Sequence, residues 1–184
     1  MQGECIAAIS TAPVVGGVAI IRISGAGALD VASQMFVPAG KRAVKDFKPR
    51  YMYSGNILAE GGITDFGLCV YFRAPHSFTG EDVVEFHCHG GVQLSRAVLK
   101  RTFACGARAA KAGEFTMRAF LNGKISLSAA EGMADMINGQ STAEVRAGSL
   151  YILENSQKRH APFRTSSKIF WRKLVPTSTI PKRI

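Results

Sequence analysis

The stretch from Gly80 to Gly91, G-E-D-V-V-E-F-H-C-H-G-G, constrains this chain more than any other, because its centre can be laid out in only one economical way. Drawn as an extended strand over Asp82–His89, it puts Val84, Phe86 and Cys88 on one side and Val83, Glu85, His87 and His89 on the other. Glycines bound the strand at both ends, Gly80 before it and the Gly90-Gly91 pair after it. A strand with one apolar and one ionisable side belongs in a sheet that covers a core with one face only. Two chemical readings of the ionisable side follow, one built on His87, Cys88 and His89 and the other on Glu85.

The remaining segments supply partners for that strand. Glu4–Ser10 and Val18–Ser24 are short runs rich in Ile and Val, joined by a loop over Thr11–Gly17, and read as two strands. In the second, Ala19, Ile21 and Ile23 face one way and Ile20, Arg22 and Ser24 the other. Gly25–Phe36 carries Ala28, Leu29, Ala32 and Phe36 at helical spacing. Residues 37–50 are basic and proline-bounded, the pattern of a solvated loop. Tyr51–Ala59 and Gly67–Phe72 read as a strand pair joined around Glu60-Gly61-Gly62.

Val92, Leu94, Val98, Leu99 and Phe103 predict a helix ended by Gly106, followed by a short strand over Arg108–Lys111. About two helical turns around Phe115–Phe120 close at Asn122-Gly123. Ser128-Ala129-Ala130-Glu131 reads as a capping box opening a helix with Met133, Ala134 and Ile137 on its apolar side, and another helix runs from Thr142 to about Glu154. The elements lack a strict βαβ rhythm, so the expected class is α+β, a mixed β-sheet with packed helices.

A chain of 184 residues with 47% apolar side chains can bury one sizeable core and little more. No apolar run reaches membrane-spanning length and the first residues lack the pattern of a secretory signal, so a cytoplasmic protein without a membrane partner is expected. Cys5, Cys69, Cys88 and Cys105 are far apart and form no C-x-x-C pair, which fits reduced packing residues rather than a disulfide or zinc framework. The net charge of +10 suggests nucleic acid until its distribution is read. Residues 1–155 hold 15 basic and all 13 acidic side chains, while 156–184 hold eight basic ones and no acid. The excess belongs to that tail, which reads as disordered or loosely attached, with RNA or an anionic surface as the sharper alternative.

Strand alternation weighs against a Cys-His nucleophile, since Cys88 faces away from both histidines. His87 and His89 share a side and could hold zinc, but only Glu85 stands near as a further ligand, and hydrogen-bonded structural histidines are the simpler account. Glu85, flanked by Val84 and Phe86, is costly to bury without donors. Either an internal salt bridge, with Arg22 the candidate, or a ligand offering two parallel N–H groups, as a guanine-like or pterin-like ring does, would satisfy it. Lys124, just past Asn122-Gly123, either caps carbonyls or reaches an anionic ligand. The pattern G-x-x-x-x-G-K-[ST] is absent, so no nucleoside triphosphatase site can be argued.

Taken together, Ile6–Thr11, Gly16–Gly25, Ser77–Glu85, His89-Gly90-Gly91, Gly113–Thr116 and Arg118–Lys124 make the chain resemble the N-terminal domain of the tRNA modification GTPase family MnmE, also called TrmE. The resemblance covers about residues 4–155. It implies a fold like the folate-binding part of glycine-cleavage aminomethyltransferases, a homodimer, and a bound tetrahydrofolate one-carbon derivative, 5-formyltetrahydrofolate or 5,10-methylenetetrahydrofolate. It further implies that Arg22, Glu85 and Lys124 contact the folate, with a flavoprotein of the MnmG type and tRNA as partners of the intact protein.

The expected division is a folate-binding domain over 1–125, the start of a helical domain over 126–155, and the basic tail over 156–184, whose abrupt texture fits a truncated or frameshifted product. Smaller departures from the family pattern fall at Pro13–Gly16, Ala112 and Ser126. A stand-alone folate-dependent one-carbon transferase and a purely structural dimerisation domain remain the alternative functions.

Overall fold

The computed structural model describes residues 4–157, so the tail expected over 156–184 lies outside the described residues from 158 on. Two compact units form, the first ending at Ala110 and the second beginning at Lys111. The first is α+β. Its strands are β1 (Ile6–Ile9), β2 (Val18–Ser24), β3 (Phe36–Pro38), β4 (Met52–Leu58), β5 (Thr64–Phe72), β6 (Val83–His89) and β7 (Arg108–Ala109). They make one sheet in the order β3-β4-β5-β6-β2-β1-β7, mixed because β7 alone runs parallel to its neighbour. Helices α1 (Ala28–Met35) and α2 (Val92–Ala104) complete the unit.

The core follows from the alternation. Ala7 of β1, Ala19, Ile21 and Ile23 of β2, Cys69 and Tyr71 of β5, and Val84, Phe86 and Cys88 of β6 pack with Ala28, Val31, Ala32 and Met35 of α1 and Val98 of α2. This is the apolar side predicted for both central strands. The four cysteines are buried and none of them is in a disulfide. Registry places Arg22 of β2 beside Glu85 of β6, and Val70 of β5 beside Glu85 on its far side. The sheet face opposite α1 and α2 therefore carries the charged row.

Residues 37–50 correct the expectation of a solvated loop. Phe36–Pro38 pairs with β4, a single 3₁₀ turn forms at Val44–Asp46, and Val44 and Phe47 are buried. The Phe47 ring stacks on Tyr53 at 3.7 Å and meets Phe36 edge-on at 6.1 Å. Isolated apolar residues among lysines leave no periodic trace, yet each aromatic ring removes a large apolar area from water. Phe36 belongs to a strand rather than to α1, and β5 begins at Thr64, three residues ahead of Gly67.

The second unit contains α3 (Glu114–Leu121), α4 (Leu127–Asn138) and α5 (Thr142–Gln157). The capping box expected at Ser128 does not form. Ser126 is the N-cap of α4, its hydroxyl accepting from the Ala129 N–H at 3.1 Å. The same sequence pattern works one helix later, where the Ser141 hydroxyl accepts from Glu144 N–H and the Glu144 carboxylate takes the Gln140 N–H at 2.8 Å.

Nor is Ile137 on the buried side of α4, since it is 80% exposed while Ala129, Ala130 and Gly132 are buried. Small residues win there because α4 and α5 touch backbone to backbone. A Cβ on Gly132 would stand 2.6 Å from the Gly148 carbonyl oxygen. No helix among the described residues is long and apolar enough to cross a membrane.

Candidate functional site

Glu85 sits where β6 is sandwiched between β2 and β5, so its backbone is fixed on both sides and only its side chain has freedom. Its carboxylate Oε1 accepts from Arg22 Nε at 2.7 Å, the internal ion pair that the sequence allowed. The two side chains retain 27% and 13% of their exposure, enough to be reached from solvent. The Arg22 guanidinium lies 5.5 Å from the centre of the Phe78 ring, a cation–π contact that limits its swing.

Burial alone would push the Glu85 carboxyl up. The His87 ring and the Arg22 guanidinium beside it outweigh that and hold it below the usual carboxylate value. It is therefore ionised at neutral pH and available as an acceptor. His87 lies two residues on along the same face, with Nε2 at 3.5 Å from Oε2, too long for a good hydrogen bond.

Phe78 is held in place by a clamp that sequence reading did not find. Ser24, fully buried on β2, hydrogen-bonds the equally buried Thr79 at 2.7 Å and donates to Glu81 Oε2 at 2.8 Å. Asp82 Oδ1 accepts from both the Tyr71 hydroxyl, at 2.8 Å, and the Ala74 N–H, at 2.9 Å. These bonds fasten the loop between β5 and β6 to the sheet. The signal available was the density of Ser, Thr, Asp and Glu in Ser77–Asp82, which reads as loop chemistry but carries no partner.

His89 and Cys88 resolve the competing chemistry of this strand. His89 Nδ1 meets Asp65 Oδ1 at 2.6 Å and its backbone N–H donates to Asp65 Oδ2 at 2.9 Å. Cys88 points into the core, donates weakly to the Ala19 carbonyl oxygen, and has its thiol pushed up to about 11 by burial. At neutral pH it is a thiol and a poor nucleophile. Among the described residues, no group of three His, Cys, Asp or Glu side chains is arranged to hold a metal.

Of the sequence-predicted residues, Arg22 and Glu85 are brought together in the first unit, whereas Lys124 lies in the second. There α3 ends at Asn122-Gly123, Gly123 has φ +67°, and the Lys124 N–H donates to the Ala119 carbonyl oxygen. A groove of about 580 Å³ opens elsewhere in the first unit, lined by Gly27, Asp30, Phe103, Cys105 and the Glu4–Arg108 ion pair at 2.7 Å. Its cation, Arg108, is paired with Glu4, and it contains none of the predicted residues. The chemistry of this chain concentrates at Arg22–Glu85.

Residues 5–124 match the family described as GTP-binding protein TrmE N-terminus. Among curated proteins the chain is similar to the tRNA modification GTPase MnmE of Finegoldia magna, at 46% identity over 85% of this chain and 34% of that protein. It is likewise similar to those of Francisella tularensis, 46% identical over 75% of this chain and 29% of the relative, and of Clostridioides difficile, 44% over 74% and 30%. The chain spans about a third of the length of the curated relatives it matches.

Proposed function

The chain belongs to the TrmE N-terminus family, and from that premise we propose that it is the folate-binding, homodimer-forming module of a tRNA modification GTPase. The ligand is a tetrahydrofolate one-carbon derivative, 5-formyltetrahydrofolate or 5,10-methylenetetrahydrofolate, and the module supplies or positions its one-carbon unit for wobble-uridine modification. A flavoprotein of the MnmG type and tRNA are the partners of the whole protein. The family's likeness to glycine-cleavage aminomethyltransferases belongs to the same reading.

The single observation that carries it is an ionised carboxylate, Glu85, fixed by Arg22 on a half-open sheet face. Arg22 and Glu85 together are close to neutral, which favours a neutral partner with directed N–H groups over a bare anion. The 2-amino-4-oxo edge of a pterin offers two such donors in parallel, and a carboxylate accepts them in bidentate geometry. Arg22 takes one lone pair of Oε1 and so orients the plane in which the ligand is received. Lys124, exposed and cationic, stays a folate contact on the family resemblance alone. When bound, the folate supplies an activated one-carbon group, while the protein residues bind and orient.

Calorimetric titration with 5-formyltetrahydrofolate tests the reading. Glu85→Ala should lower affinity by roughly a hundredfold or more, because it removes two charge-assisted hydrogen bonds at once. Unchanged affinity in that variant overturns the assignment.

A further inference from the structure

On the charged sheet face, one buried polar atom is left without a role by the reading above. His87 Nε2 is inaccessible to solvent and has no hydrogen-bond partner, although the site around Glu85 is otherwise paired. The strand positions flanking His87 offer nothing polar, since Ile20 of β2 and Leu68 of β5 stand opposite it. The groups facing Glu85 are Arg22 from β2, His87 from β6 itself and the apolar Val70 from β5. The ionisable neighbour of His87 Nε2 is therefore Glu85 Oε2, 3.5 Å away, a separation that a small turn of either side chain closes. Buried polar atoms are nearly always paired, so an orphan 3.5 Å from a carboxylate oxygen calls for a physical account.

We propose that His87 is a positioning residue for Glu85: its Nε2–H donates to Oε2, transiently in the free protein and fully with ligand bound, so that Arg22 and His87 grip the two carboxylate oxygens and present their remaining lone pairs to the ligand's paired N–H groups. The carboxylate would otherwise rotate about its last bond, and a bidentate acceptor is only as selective as its plane is fixed. The class of ligand rests on the folate reading. The coupling of His87 to Glu85 does not, because it is a property of the free protein.

Two measurements on the full chain separate these claims. In the first, the ¹³C signal of the Glu85 carboxyl is followed through an acid titration without ligand, in the unmodified protein, in His87→Phe and in His87→Gln. His87→Phe should move the midpoint upward, and His87→Gln, whose amide can donate, should bring it back most of the way. An unmoved midpoint in a folded His87→Phe protein overturns the inference. In the second, calorimetry with 5-formyltetrahydrofolate should show about a tenfold loss for His87→Phe and recovery in His87→Gln. Equal affinities where the unmodified protein binds also overturn it and leave the folate reading standing. No binding by the unmodified protein overturns the folate reading, and the carboxyl titration then decides the inference alone.

Discussion

Two carboxylates on the neighbouring strands β5 and β6 meet histidines and end with opposite prospects. Asp65 has both oxygens taken by one residue, His89, through its ring and its backbone N–H. It extends the pairing where the β5–β6 ladder stops at Leu68 and His87, and at 9% exposure it is held in that structural role. Glu85 has one oxygen on Arg22 and the other facing His87 across 3.5 Å. The lesson is that a satisfied carboxylate holds a structure together, whereas a partly satisfied one on a half-open face is where recognition can occur.

The contrast breaks most visibly in a pair of variants. Glu85→Ala should remove folate binding while urea denaturation shows little change. Asp65→Ala should do the reverse, costing about 2 kcal/mol of stability by stranding a backbone N–H, with affinity nearly intact. If both variants lose binding and stability alike, the two carboxylates do not differ in kind.

A smaller effect appears on acidification. The Glu85 carboxyl is held below its ordinary value, so its contribution to stability is present above that value and fades as pH falls through the depressed one. Glu85→Gln should flatten the acid side of a stability-against-pH profile, measured by urea midpoints between pH 3 and roughly 6. The smallest change expected is in His89→Gln, since its ring is 71% exposed and such pairs contribute only about 0.5 kcal/mol. A loss as large as that of Asp65→Ala would move the weight of the clamp from the backbone N–H to the ring.

The face of each central strand was legible because a sheet covered on one side writes its burial into every second residue. Val84, Phe86 and Cys88 had to go inward, and Arg22 and Glu85 had to go outward. Their meeting was only one option until registry placed them opposite each other. Asp65 was invisible as a partner because it lies 24 residues from His89, and no local pattern encodes such a bond. The same limit hid Phe78 over Arg22. In the second unit, Ser126 outcompeted Ser128 for the cap, and the Gly132–Gly148 approach favoured small residues over the larger Met and Ile that periodicity selected.

Alternation gives the charged row one more consequence. A slip of β6 by one residue against β2 and β5 would carry Glu85 and His87 to the side packed by α1 and α2, and send Phe86 and Cys88 outward. An ionised carboxylate and an imidazole cannot replace Phe86 there without a heavy desolvation cost. The residues that would receive a ligand thus also forbid misassembly of the sheet, because the slip that buries Glu85 and His87 also exposes Phe86 and Cys88.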